Sequence, residues 1–355
     1  MPDIDWTSSM QQTFRYFVVH PGTWKNEREL LQITSSSIKM DFENETLGSG
    51  SFETTEELGE CYVRTYLVCI QNGFRYEFPL GTLLVQTPGK SYNGRVQNLS
   101  MDAYTPLLEL KDKNPPFGYS ISSGVNILKS VSNLVADNVR APVIASNSSD
   151  VLTGDYVSDY ENDTILSYTS GLLGSINYRF DVDELGRILF VPNQDSNAVK
   201  PVWTFNDDNS SILYPDVSVE RDLYGIPNVV EVMYSDENAF LIARAENNDE
   251  NSPTSIPVRG REVMYRVNNP DDLISPDQYA MDEYAKNLLR DLSTLEYKIS
   301  YSHGYCPVRV GDCVELNYKR AGLVGIKAIV KAQEISCETG CKVTETATYT
   351  KKLWG

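Results

Sequence analysis

Residues Cys61 to Leu80 read CYVRTYLVCIQNGFRYEFPL, and few folds accept such a stretch. Two runs rich in β-branched and aromatic residues flank Asn72-Gly73. That dipeptide tolerates the positive φ angles of a tight turn and so marks a hairpin. Arg15 to His20 (RYFVVH) is a further strand-like run, and Val85, Val96 and Leu99 continue the character. Gly48-Ser49-Gly50 is expected to punctuate a turn. Up to Pro116 the chain is expected to be β-rich, with no helix.

Beyond Pro116 the periodicity changes. After Ser123-Gly124, Ile127, Leu128, Val131, Leu134 and Val135 fall on one helical face. A second helix is expected from near Asn162 or Asp163, carrying Ile165, Leu166, Leu172, Leu173 and Ile176, although Gly171 and Gly174 disfavour it. In YRFDVDELGRILFVP, Tyr178, Phe180 and Val182 alternate with polar residues. Glu184-Leu185-Gly186 then turns the chain, and Ile188 and Phe190 resume the alternation, which predicts a hairpin. A second hairpin is expected from Asn228 to Ala245 about Ser235-Asp236-Glu237-Asn238, followed by a polar loop from Glu246 to Pro257.

The sharpest helix start is SPDQYAMDEYAKNLLRDL. Ser275 is the expected N-cap, with Pro276 at the first helical position and Gln278 three residues past the cap. Met281, Tyr284, Ala285, Leu288, Leu289 and Leu292 form the apolar stripe, so a helix is predicted from 276 to about 293, with the stripe as a packing face. Strands return at Leu295 to Tyr301, Cys313 to Tyr318, Ile326 to Ile335 and Val343 to Tyr349. Within 305–337, Val308, Val310, Val314 and Leu316 are the expected strand positions. Gly311-Asp312 is the expected bend and Gly322 to Gly325 the hairpin tip. No short-period repeat is visible, although the two β-rich ends can be variants of one barrel.

Bulk properties narrow the function. A chain of 355 residues has room for two or three domains. Its net charge of −18 opposes a broad phosphate-binding face, which needs basic surface to displace counterions. The 22 tyrosines suit strands and ordered interfaces. No apolar run reaches the roughly 20 residues of a membrane span. The N-terminal stretch lacks a basic and an apolar region, so no signal peptide is expected. Six cysteines do not make a disulfide scaffold at this length, and synthesis in a reducing host cytoplasm is expected.

Candidate chemistry is sparse. The two histidines, His20 and His303, precede turns and are read as surface or turn residues without a nucleophile motif. Cys337 and Cys341 have the spacing of one zinc arm. Cys306 and Cys313 are too far apart for the second, so strand cysteines acting as small apolar residues are expected. Asp181/Asp183/Glu184 and Asp207/Asp208 could serve as a carboxylate pair, but hairpin and turn acids explain both. Lys319-Arg320, Lys327 and Lys331 surround the Gly322–Gly325 turn and are read as a solvated tip or a subunit contact, with phosphate binding the other option. No catalytic residue, cofactor or metal site is assigned, and the chain is expected not to be an enzyme.

The order of segments resembles the tail hub proteins of phages and related injection machines, the late control protein D-like group. HPGTWKNERELLQITSSSIKMDFENETLGSGSFE, FPLGTLLVQTP with GRVQNLSMDAYTPLLELKD, and YRFDVDELGRILFVP carry the resemblance. So do NNDENSPTSIPVRGREVMYRV, the 276–293 helix, PVRVGDCVELNY and the terminal Leu353-Trp354. It implies an α+β, predominantly β chain with two tube-type β-barrel domains joined by a small α+β module and a connecting helix. The expected divisions are a first barrel over 1–114, an α+β domain over 115–200, linking strands and loop over 201–275, and helix plus second barrel over 276–355. It further implies a structural baseplate hub in the virion tail, a homotrimer whose six barrels make a pseudo-sixfold ring. Implied partners are the tail tube or distal tail protein and the central spike or tip, with DNA passing without specific binding and no membrane insertion by this chain. Wall cleavage is expected from another chain. A carbohydrate-binding tip protein, with Trp24, Trp203 and Trp354 as stacking rings, and a distal tail ring protein are the alternatives.

Overall fold

The computed structural model describes residues 4–354 apart from 95, 194–198, 210, 222, 236–239 and 271–276. The chain is α+β and predominantly β. It divides into two compact units, Met1–Val217 with Tyr301–Thr346, and Ser218–Ser300 with Ala347–Gly355.

In the first unit, Cys61–Gln71 lies between Gln11–Val19 and the long Phe74–Asn93 strand, all antiparallel. Asn72 and Gly73 both adopt positive φ, 52° and 79°, and close the expected hairpin with Gln71 opposite Phe74. Phe74–Asn93 pairs with Val96–Tyr104, which pairs with Gly48–Thr54, which pairs with Ile33–Asp41. Ile33–Asp41 then takes Leu323–Ser336 as its other neighbour, Ile38 opposite Ile335. Strands from the two ends of the sequence therefore share one sheet. Among the described residues its path does not close on itself. Side chains alternate between faces along each strand, so one face collects Tyr16, Ile38, Phe52, Leu67, Leu83 and Met101, joined by Ile335, Cys337 and Val343.

Three local expectations fail here for physical reasons. Gly48 and Gly50 lie inside a strand, not in a turn. A Cβ on Gly50 would sit 2.5 Å from Leu83 Cδ1 and 2.7 Å from Ser37 O, so the glycine admits a close neighbour. The turn is the preceding loop, where Leu47 has φ 59° and Asp41 N donates to Leu47 O. Val308 and Val310 lie in a loop, and only Val314 and Leu316 lie in a strand, Cys313–Tyr318. The loop is held by Arg309 N donating to Asp312 Oδ2 at 2.8 Å, a local bond that competes with a ladder. A short helical turn, Leu108–Lys111, precedes Pro116.

The middle of the first unit is a small α+β cluster. Helix Ile127–Ala136 is capped by the Asn126 side chain and buries Ile127, Leu128, Val131 and Val135. Helix Ile165–Ser175 begins at Thr164, whose side chain and Ser167 form a reciprocal cap, two residues later than Asn162. Gly171 sits where a Cβ would lie 2.5 Å from Tyr156 OH, so a larger residue would need that side chain to shift. The expected hairpin is present as Tyr178–Val182 and Ile188–Pro192, Phe180 opposite Phe190.

The second unit packs helix Gln278–Leu292 on a three-stranded sheet. Val229–Ser235 pairs antiparallel with Phe240–Glu246 and parallel with Met264–Asn268. Met281, Ala285 and Leu289 meet Val230, Val232 and Ala243, with Tyr284, Leu288, Leu292 and Trp354 around them, as the stripe predicts. The expected cap at Ser275 and Pro276 lies outside the described residues. Asp277 caps the helix, accepting from Ala280 N at 2.8 Å. The hairpin turn at 236–238 also lies outside them. The polar 246–257 loop is not solvated throughout. Asn247 and Ser252 are buried and bonded side chain to side chain at 2.9 Å.

Candidate functional site

Two polar clusters in the first unit gather residues distant in sequence. The first is the turn of the 178–192 hairpin. Gly186 has φ 71°, and Asp183 Oδ1 accepts from Arg187 N at 2.8 Å, which closes the turn. Trp24 Nε1 donates to Leu185 O at 2.7 Å, and Arg64 Nη2 donates to the same carbonyl at 3.0 Å. Thr82 Oγ1 donates to Glu184 O at 3.0 Å while accepting from Arg64 Nε at 2.8 Å. A Cβ on Gly186 would lie 2.8 Å from Thr82 Cβ, so glycine sets the closeness of the fit.

Arg309 arrives at this turn from the other end of the chain. It pairs with Asp181 at 3.5 Å and more closely with Glu184. Asp183 is taken by Arg187 Nε at 2.6 Å. The candidate acids therefore pair with cations that fasten the hairpin. Burial raises the Glu184 pKa while Arg309 pulls against it. Burial works to lower Arg309, but Glu184 and Asp181 outweigh it and the pKa rises.

The second cluster is sealed. Glu345 has no solvent exposure. Tyr301 OH donates to its Oε2 at 2.6 Å and Gln333 Nε2 to its Oε1 at 2.7 Å. Gln333 also donates to Val308 O at 2.8 Å, so the loop before Cys313 is tied to the cluster. His303 Nε2 stands 3.4 Å from Glu345 Oε1, and Nδ1 lies 2.7 Å from Gly304 O, which makes Nδ1 the donor there. The Phe205 ring covers the imidazole at 4.6 Å. Burial, and then Glu345, push the Tyr301 phenol well above its usual range. Here the reading of His303 as a surface or turn residue is overturned. It is fully buried at the inner end of strand Thr294–Gly304, and the glycine after it misled. Tyr301, Gln333 and Glu345 carried no expectation. The one available sign was alternation: Val343 and Ala347 face inward, which turns Glu345 inward with them.

The remaining candidates scatter. His20 is exposed and caps a turn, its Nδ1 accepting from Gly22 N at 3.1 Å. Cys306, Cys313, Cys337 and Cys341 are free and buried, and burial lifts the Cys337 thiol to about 11. Among the described residues no group of metal-ligating side chains assembles. Lys319, Arg320 and Lys327 are exposed near the tip, whereas Lys331 lies apart, over the Phe42 ring. Asp207 Oδ2 accepts from Lys319 N at 3.1 Å. Trp24, Trp203 and Trp354 are all half-buried, and none is an open platform.

No family model matches the chain, and no curated protein matches it by sequence. Solved structures do. A tail protein from Neisseria meningitidis MC58 superposes with a TM-score of 0.63 at 14% identity, over 96% of this chain and 98% of that one. This is the fold of phage tail proteins. A 43 kDa prophage tail protein from Shewanella oneidensis shares it with a TM-score of 0.60 at 11% identity, over 95% of this chain and 98% of that one. A chain of the Francisella PdpA–VgrG complex shares it at 0.58 and 9% identity, the match spanning 97% of this chain but 58% of that one. Within this tail-protein fold, both clusters join residues far apart in the chain: Arg309 with Asp181 and Glu184, and Gln333 on a strand whose neighbour carries Ile38 and Met40.

Proposed function

We propose that the chain is a structural hub subunit of a phage tail or baseplate. In this reading residues 1–114 and 276–355 each contribute a tube-type barrel, and the parts between, 115–200 and 201–275, space them. Three copies form a pseudo-sixfold ring, one face matching the tail tube or distal tail protein and the other the central spike or tip. DNA passes through without specific binding, a passage favoured by an acidic lumen. The subunit resides in the virion tail and has no catalytic role or cofactor.

The observation that carries the reading is that Ile33–Asp41 and Leu323–Ser336, from opposite ends of the sequence, are hydrogen-bonded neighbours. Two barrels in one chain can then stand side by side as two positions of one ring, which covers strand edges that would otherwise be exposed. Fold likeness over nearly the whole of two tail proteins supports the same assignment. Sedimentation of the purified protein at rising concentration tests it. The expected species has three times the chain mass of 39.9 kDa. A stable hexamer would favour a distal tail ring protein instead.

A further inference from the structure

A groove of about 560 Å³ opens on the first unit beside the hairpin. Its floor is preset by the backbone. Phe42 N donates to Lys331 O at 3.0 Å and Gly311 N to Val330 O at 2.8 Å. Arg179 stacks on the Phe42 ring with its guanidinium carbon 3.9 Å from the centroid, and Lys331 Nζ lies 5.8 Å from the same centroid. Gly311, at φ 97°, makes the stack possible, because a Cβ there would meet Arg179 Nη2 at 2.9 Å and Phe42 Cζ at 3.1 Å.

The charges in this groove are unbalanced. Neither Arg179 nor Lys331 has an ion-pair partner among the described residues, in a chain of net charge −18. Arg179 spends one N–H on Phe180 O at 3.2 Å. Of the two lining acids, Glu45 is held by Lys111 at 2.7 Å, which leaves Glu43 at the rim. Burial lowers the Arg179 pKa, with Asp181 opposing that fall and Arg309 adding to it. The rest of the lining includes neutral hydrogen-bonding groups, Asn44, Ser170 and Tyr178, beside apolar Leu47 and Ile329.

From this we infer that the groove is a binding site for a small sugar acid, its carboxylate held by Arg179 and Lys331 and its hydroxyls by Asn44, Ser170 and Tyr178. The volume falls in the range of small-ligand sites, roughly 300–1,000 Å³, and is too large for a lone phosphate. Two cations against one free acid match a single carboxylate better than a doubly charged group. The neutral polar lining matches a polyhydroxylated body. The inference goes beyond the hub assignment and does not depend on it.

Titration calorimetry with the full chain tests the site, using glucuronate as probe and glucose and acetate as controls. Saturable glucuronate binding is expected, with glucose and acetate each at least about tenfold weaker, since charge-assisted and neutral hydrogen bonds both contribute. Arg179→Gln and Lys331→Gln should each weaken glucuronate binding about tenfold. Gly311→Ala should weaken it by displacing Arg179 without removing charge. Melting curves confirm that each variant is folded. Absence of glucuronate binding, equal binding of acetate, or unchanged binding in folded Lys331→Gln would each overturn the inference.

Discussion

The two polar clusters of the first unit do similar joining work in opposite surroundings. Around Glu345 every partner is buried. Around Arg309 the side chains keep contact with water, 37% exposed for Arg309 and 31% for Glu184. A buried carboxylate has lost its hydration and depends on the hydrogen bonds from Tyr301 and Gln333. A half-exposed ion pair can fall back on water when a partner is lost. The sealed cluster therefore specifies the strand arrangement strongly, while the open one fastens the hairpin weakly and reversibly.

Truncating the sealed carboxylate should break the comparison hardest. Glu345→Ala strands Tyr301 OH and Gln333 together and should cost about 3–5 kcal/mol in denaturant unfolding. Glu345→Gln keeps the size and one acceptor, and should cost about 1–3 kcal/mol. Equal losses for the two would mean that volume, not hydrogen bonding, governs the cluster. Tyr301→Phe, measured the same way, removes one donor and should cost roughly 1 kcal/mol, more if the freed carboxylate oxygen finds no replacement. In the open cluster Arg309→Met should cost about 1 kcal/mol or less by the same measurement, since solvent screens the pair. A loss as large as that of Glu345→Ala would erase the distinction.

The smallest effect is in pH dependence. Glu184 holds its proton to higher pH in the folded chain than when unfolded. Its contribution is therefore most favourable below the unfolded carboxylate pKa, falls as pH rises through the folded value, and is flat above it. Without Arg309 the folded value rises further. The stability gap between wild type and Arg309→Met, read from unfolding midpoints across the acid range, should widen from acid towards neutral pH. A gap that narrows would contradict the assigned sign.

Much of the architecture was legible because period and turn chemistry are local. Asn72-Gly73, the 178–192 hairpin and the Met281 to Leu292 stripe each formed as read. The failures share a cause. Gly50 was read as a turn because its real reason, Leu83 across the sheet, is 33 residues away in the chain. Val308 and Val310 alternate like strand residues, yet Asp312 captures the backbone first. His303 and Glu345 look like solvent-facing residues singly, and only the pairing of strands brings them together. Arg309, which fastens the hairpin acids, was passed over because nothing local ties position 309 to 181 and 184.

Reconstruction of the intact tail particle by electron cryomicroscopy, without imposed symmetry, tests the central claim most directly. The account predicts three copies of this chain in one collar, with the strands 33–41 and 323–336 repeating six similar positions around the channel. Six copies in true sixfold register, or density for this chain away from the tube axis, would contradict it.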